Sequence, residues 1–135
     1  MDLTEAVMES TIRDNILGIK KNITEAAMRA GRDPSGIKLM GVSKTVDDQR
    51  INEAIAAGID MIGENYVQEA KRKIELMGHP VAWHFIGHLQ TNKAKYAVRL
   101  FDMIHSVNRL ELAKELDKRA NAAGRRMPVL MEINV

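Results

Sequence analysis

The hydrophobic positions of the first thirty residues recur at a helical spacing. Apolar side chains fall three to five residues apart from Val7 to Ala27, which keeps them on one stripe of a helix. Gly31 and the cluster at 33–36 then end the pattern, because glycine accepts left-handed dihedrals and proline cannot continue a helix. One long amphipathic helix is therefore predicted at the amino terminus.

The remainder of the chain alternates short apolar runs with amphipathic stretches, a pattern that predicts strands and helices in turn. Strands are predicted at 37–42, 59–63, 81–87, 101–107 and 127–135, and helices at about 51–58, 67–77, 91–99 and 108–124. The segment from Thr45 to Asp48 resembles a capping box before the first of these helices. Asn108 is predicted to cap the last.

Strict alternation of strand and helix predicts an α/β fold with a parallel sheet and right-handed crossovers. An open doubly wound sheet and a closed (β/α) barrel both suit it. Neither GxGxxG after the first strand nor GxxxxGK[ST] anywhere is present, which favours the barrel. A complete barrel takes about 200 residues or more. Residues 1–135 are therefore predicted to be the N-terminal portion of one barrel domain, and truncation is favoured over half-barrels that pair between chains.

Composition narrows the classes of function. The 20 basic and 18 acidic residues leave a net charge of +2 and are scattered, so no surface for nucleic acid is expected. The absence of cysteine excludes a disulfide framework, a thiolate metal site and a cysteine nucleophile. No apolar run approaches the roughly 20 residues of a membrane span, and the first residues carry acids rather than the basic start of a secretory signal. A soluble cytoplasmic protein is expected.

Polar residues follow every predicted strand, at the end where parallel α/β folds gather their active sites. They are Ser43, Lys44, Glu64, Asn65, His84, His88, His105, Ser106 and Asn134. Contact with solvent also makes strand ends polar, so the set is suggestive only. His84 and His88 lie roughly 13 Å apart on a strand at about 3.3 Å per residue, so no shared zinc site is predicted. The basic cluster at 71–73 is expected to be a solvated helix face.

Lys44 directly follows the first predicted strand, which places it at the mouth of a barrel and partly out of solvent. Desolvation disfavours the charged form of an amine, and a neutral amine is the form that attacks an aldehyde. Position alone leaves two interpretations open. One is a Schiff-base lysine, and the other is a surface lysine whose stem packs along the strand end.

Four stretches of the sequence together resemble the pyridoxal phosphate homeostasis protein family. They are LMGVSKT (39–45), IGENYVQE (62–69), WHFIGHLQTNK (83–93) and HSVNR (105–109). The resemblance implies a (β/α) barrel similar to the N-terminal domain of alanine racemase, here its first five strands with an extra N-terminal helix. It also implies that Lys44 binds pyridoxal 5′-phosphate (PLP) as a Schiff base. Asn65 is the next expected cofactor-binding residue, followed by His84 and Ser106.

The resemblance further implies a protein of vitamin B6 balance with no defined catalytic reaction, no metal and no obligate protein partner. The alternative is a PLP-dependent racemase or lyase of the alanine racemase type. A racemase needs a second base, commonly a tyrosine, and Tyr66 and Tyr96 are predicted on or beside helices, which counts against it. In the family, the groups that hold the phosphate come from the last strands. The complete protein is therefore expected to bind PLP, and the 135-residue chain to bind it weakly or not at all.

Overall fold

A computed structural model describes the backbone of residues 3–135 and the side chains from residue 11 onward. Within that range, one long helix precedes five strands that alternate with four helices, which confirms the predicted order. The elements are α1 (Leu3–Arg29), β1 (Met40–Val42), α2 (Asp48–Ala56), β2 (Met61–Glu64), α3 (Val67–Met77), β3 (Ala82–Phe85), α4 (Ala94–Leu100), β4 (Met103–Val107), α5 (Leu110–Ala122) and β5 (Val129–Met131). Short 3-10 turns at Pro34–Gly36 and Thr91–Lys93 precede β1 and α4.

The chain divides into two compact units, Met1–Met61 and Ile62–Val135. In the first unit, α1 packs against α2, and its buried apolar residues are Ile16, Ala27, Ile51 and Ile59. The carboxylate of Asp60 accepts a 2.7 Å hydrogen bond from the Leu39 N–H and lies 4.0 Å from the amine of Lys20. These contacts link the entry to β1 with α1 and with the segment that follows α2.

The strands of the second unit follow the order β2-β3-β4-β5, and β4 is parallel to both of its neighbours. Phe85 lies opposite Ile104 in the register of β3 and β4. Trp83, His84 and Phe85 are all buried, as expected for a parallel strand that is covered on both faces. The rings of Phe85 and Phe101 lie 5.1 Å apart between centroids. By contrast, every residue of β5 is exposed.

The predicted caps of two helices and the predicted extent of the last strand are wrong. Asp47, not Thr45, caps α2, because its carboxylate accepts a 2.9 Å hydrogen bond from the Arg50 N–H. Arg109 occupies the capping position of α5 without a side-chain cap, and the Asn108 side chain instead accepts a 3.0 Å bond from the Arg109 guanidinium. The fifth strand covers Val129–Met131 rather than 127–135, because its register with β4 extends only as far as Met131.

Candidate functional site

Lys44 lies in a four-residue turn that leaves β1. The Val46 N–H donates a 3.0 Å hydrogen bond to the Ser43 carbonyl, so Lys44 and Thr45 are the two central residues of the turn. Ser43 is buried, whereas Lys44 is exposed. The structure therefore places Lys44 at the predicted strand end, but the prediction that it is partly desolvated is wrong for this chain. Lys44 is thus exposed although the residue before it is buried.

At the end of β2, Glu64 is fully buried and is paired with a lysine. The amine of Lys73 donates to Glu64 Oε1 at 2.6 Å and to Glu69 Oε1 at 2.8 Å, and Lys73 is itself 0% exposed. Burial of these charges is tolerable because each amine–carboxylate contact is a close, charge-assisted hydrogen bond.

The basic cluster at 71–73 is therefore only partly as predicted. Lys71 and Arg72 are exposed, but the expectation of a solvated face is wrong for Lys73. Ala70 and Ile74 are also buried on α3, and Lys73 lies between them on the same stripe. This helical spacing was the signal in the sequence that could have identified Lys73 as a buried residue.

Asn65 follows Glu64 directly and meets the loop after β3. The Ile86 N–H donates a 2.9 Å hydrogen bond to the Glu64 carbonyl, which brings the two strand ends together. A Cβ on Gly87 would lie 2.2 Å from the Asn65 carbonyl oxygen, so only glycine permits this approach. Asn65 Oδ1 is buried and has no hydrogen-bond partner among the described residues. The segments 62–69 and 83–93 thus meet at Asn65.

A cavity of about 510 Å³ opens beside this contact. Its lining combines apolar groups with amides, an exposed histidine and a lysine. The lining residues are Asn65, Tyr66, Val67, Gln68, Phe85, Gly87, His88, Leu89, Gln90 and Lys93. His88 thus faces this cavity, whereas His84 lies within β3.

His84 and His105 form a hydrogen-bonded pair that connects β3 to β4. His84 Nδ1 lies 2.8 Å from His105 Nε2, and the ring planes are inclined by 62°. Burial lowers the pKa of His84, with a further lowering from His105 and an opposing effect of Asp102. Burial also lowers the pKa of His105. Both effects favour two neutral rings, one donating its N–H to the other.

The pairing of the two histidines was missed in the sequence. His84 lies opposite Met103 in the register of β3 and β4, and His105 is two residues further along β4. Residues two apart on a strand share a face of the sheet. The alternation of the fourth strand was therefore a signal, but only once the register with the third strand is known.

Ser106 and Arg109 complete the set on β4 and the loop that follows it. Ser106 is 5% exposed, and its Oγ has no hydrogen-bond partner in the described part of the chain. The Arg109 guanidinium donates to the Leu89 carbonyl at 2.8 Å and to Thr91 Oγ1 at 3.2 Å. These bonds tie the segment 105–109 to the segment 83–93.

Asn65, His84, His105 and Ser106 therefore all belong to the second unit, where His84 contacts His105, while Lys44 belongs to the first unit. Across the side chains described, no group of three or more histidine, aspartate or glutamate residues could hold a metal ion. No helix in the described range is long and apolar enough to cross a membrane.

Comparison with known proteins defines the class. The family model for the N-terminal domain of alanine racemase matches residues 15–135, and the chain belongs to this family. The fold class predicted from the sequence, the first five strands of this α/β barrel type with an added N-terminal helix, is confirmed.

Curated relatives carry the name pyridoxal phosphate homeostasis protein, which confirms the resemblance seen in the four sequence stretches. The Pseudomonas aeruginosa protein is 43% identical over 127 residues, covering 93% of this chain and 55% of the relative. The Aquifex aeolicus protein is 44% identical over 118 residues, covering 87% of this chain and 52% of the relative. The chain thus spans about half the length of the curated relatives it matches.

Solved structures agree with this assignment. PipY from Synechococcus elongatus, solved with PLP bound, is 40% identical with a TM-score of 0.72, and the match covers 84% of this chain and 55% of PipY. The crystal structure of an unknown protein from Bifidobacterium adolescentis is 31% identical with a TM-score of 0.85, covering 96% of this chain and 56% of that one.

Proposed function

We propose that this chain is part of a PLP-binding protein of PLP homeostasis, in which Lys44 holds the cofactor as a Schiff base and Asn65 is the second cofactor-binding residue. The observation that carries the proposal is the PLP-bound PipY structure, which shares the fold of this chain at 40% identity. The relatives named for PLP homeostasis support the biological role.

The residues present fit such a cofactor. When bound, PLP supplies an aldehyde that reacts with a lysine amine. Lys44 is exposed and directly follows the buried Ser43. Asn65 Oδ1 and Ser106 Oγ are buried polar atoms that lack partners among the described residues, and such atoms in proteins normally have one. Both can therefore bind a polar ligand, Asn65 Oδ1 as an acceptor and Ser106 Oγ as a donor or acceptor.

We further propose that the protein carries or buffers the cofactor and has no defined catalytic reaction. Tyr66 is 61% exposed and Tyr96 is 42% exposed. The amines of Lys93 and Lys95 lie 5.8 and 5.0 Å from the centre of the Tyr96 ring. Neither tyrosine is thus a buried base within its own unit, and this supports a carrier over a racemase. Membership of the alanine racemase family favours the enzyme as second candidate. Racemisation of alanine by the PLP-loaded protein would support the enzyme, and its absence the carrier.

Residues 1–135 are proposed to form the N-terminal portion of a single PLP-binding barrel domain that acts in the cytoplasm. Because the groups expected to hold the phosphate come from the last strands of such barrels, we expect the complete protein to bind PLP and this chain to bind it weakly or not at all. The small-molecule cofactor is the partner we propose, without nucleic acid, membrane or an obligate protein partner.

Titration with PLP, followed by absorbance in the near-visible, tests the proposal. The complete protein should develop the absorption of a Schiff base, and its Lys44→Ala variant should lose it. Lys38→Ala is the matched control, because Lys38 is also exposed and precedes the same strand. Asn65→Ala should weaken binding without abolishing the band. An unchanged spectrum in Lys44→Ala would refute the assignment of Lys44.

A further inference from the structure

We propose that Thr45 is a positioning residue, whose strained backbone fixes the turn that presents the Lys44 amine; this rests on the proposed role of Lys44. Thr45 has φ of 61° and is the one non-glycine residue with positive φ within the described chain. A β-branched residue is a genuine outlier in this region, because its side chain crowds the backbone there. The residue that follows the candidate Schiff-base lysine thus carries an unusual conformation.

The chain uses glycine wherever else it adopts this conformation. The other described residues with positive φ are Gly31, Gly58, Gly78 and Gly124. Each follows one of the helices, where glycine commonly ends a helix without strain. Thr45 is the one described residue that departs from this pattern. A turn that merely joined a strand to a helix would be formed with less strain by glycine.

The surrounding structure holds the turn from both sides. On one side, Ser43 is buried and its carbonyl accepts the Val46 N–H at 3.0 Å. On the other side, Asp47 caps α2 through the Arg50 N–H at 2.9 Å. Thr45 therefore occupies the third position of a closed four-residue turn, where a left-handed conformation normally selects glycine or asparagine. Strain of this kind persists only where flanking contacts determine the backbone, and it clusters at functional sites.

The consequence for Lys44 is a restricted range of positions. Glycine at position 45 would give the turn many backbone conformations and would let the adjacent lysine move with it. A β-branched residue removes most of those conformations. The amine of Lys44 is then held near one place before any ligand binds, and a preorganised group binds more tightly because less freedom is lost.

The test compares Thr45→Gly with the wild type in two measurements, both made on the complete protein. One is the midpoint of denaturant unfolding, and the other is the yield of PLP trapped on Lys44 by borohydride, measured by peptide mass spectrometry. Thr45→Gly should raise the midpoint, because the strain is relieved. It should lower the yield at Lys44 by about two- to fivefold, because the turn gains freedom.

Two further variants separate strain from other effects. Thr45→Ala keeps the Cβ that disfavours the left-handed region, so it should retain most of the yield at Lys44. Thr24→Gly makes the same chemical change within α1, where no positive φ occurs, and should lower the midpoint without changing the yield.

Several results would overturn the proposal. A Thr45→Gly midpoint at or below that of the wild type would show that the backbone of Thr45 is not strained. A raised midpoint with an unchanged yield would show that the strain does not position Lys44, and an equal loss in Thr45→Ala would assign the effect to the side chain beyond Cβ. Absence of PLP on Lys44 in the wild type would instead refute the proposed function, and the role of Thr45 with it.

Discussion

His84 Nδ1 lies 2.8 Å from His105 Nε2, so the two rings share one hydrogen bond between adjacent strands. One nitrogen donates a proton and the other accepts it, which requires that the accepting ring be neutral. Burial of both rings lowers the pKa of each. Protonation of both rings would replace the hydrogen bond by a contact between two N–H groups. The pair is therefore a neutral link between β3 and β4.

This link predicts that stability falls in mild acid. The histidine pKa is ordinarily 6.5 and is lower for both rings in the folded chain. The unfolded chain therefore binds more protons below about pH 6.5. The contribution of the pair to stability should be complete above that pH and should decline as the pH falls below it. Urea unfolding midpoints between pH 8 and pH 5 would measure this decline.

The double variant His84→Gln, His105→Gln should show a shallower decline across the same range. His88→Gln is the control, because this histidine is exposed and is not part of the pair. A double variant as sensitive to acid as the wild type would show that the pair does not set the pH dependence. That outcome would contradict the interpretation of the pair as neutral and buried.

Removal of the buried lysine should destabilise the second unit strongly. Lys73→Met would leave Glu64 buried without the amine that lies 2.6 Å from it. Losing one partner of a buried ion pair costs about 3–5 kcal/mol of unfolding free energy. Lys71→Met is the matched control on the same helix, since Lys71 makes only an exposed contact with Glu75 at 3.9 Å. Loss of the Lys71 amine should lower the unfolding free energy by less than about 1 kcal/mol. Equal losses from the two variants in urea unfolding would contradict this account.

Gly87→Ala should disturb the position of Asn65. The added Cβ would lie 2.2 Å from the Asn65 carbonyl oxygen, so one of the two backbone segments must move. Overpacking of this kind typically costs about 1–3 kcal/mol and can cost more. The midpoint temperature of thermal unfolding and the affinity for PLP should both decrease.

Gly18→Ala is the same substitution, but it is expected to raise stability rather than lower it. Gly18 lies within α1 with open space around it, so alanine should stabilise the helix by about 0.5–1 kcal/mol. If Gly87→Ala were as stable as the wild type, the close approach of Gly87 to Asn65 would not be a constraint.

The sequence predicted the order of the elements well, because periodicity reports which residues of an element are buried. Periodicity does not indicate which elements pack against one another. The link between His84 and His105 depends on the register of two strands, and hydrophobic alternation does not specify which strands adjoin. The left-handed conformation of Thr45 is likewise a feature that no local propensity indicates.

The sequence predicted some residues of the candidate site better than others. Lys44 and Asn65 were identified through resemblance to a family rather than through spacing, and their roles stay predictions. The place of Lys44 after a strand was predicted correctly. The prediction that Lys44 is partly desolvated was wrong, because the residue is exposed in the turn that begins at Ser43. Lys73 was treated as part of a basic run, although its place between Ala70 and Ile74 on the helix determines its burial.

Borohydride reduction of the complete protein after equilibration with PLP, followed by peptide mapping, tests the central claim most directly. Reduction makes the bond between cofactor and lysine permanent, so the modified residue can be identified by mass. The account predicts that the modification is concentrated on the peptide containing Lys44 and is absent from that position in Lys44→Ala. A modification spread equally over exposed lysines such as Lys38 and Lys95, with no preference for Lys44, would contradict it.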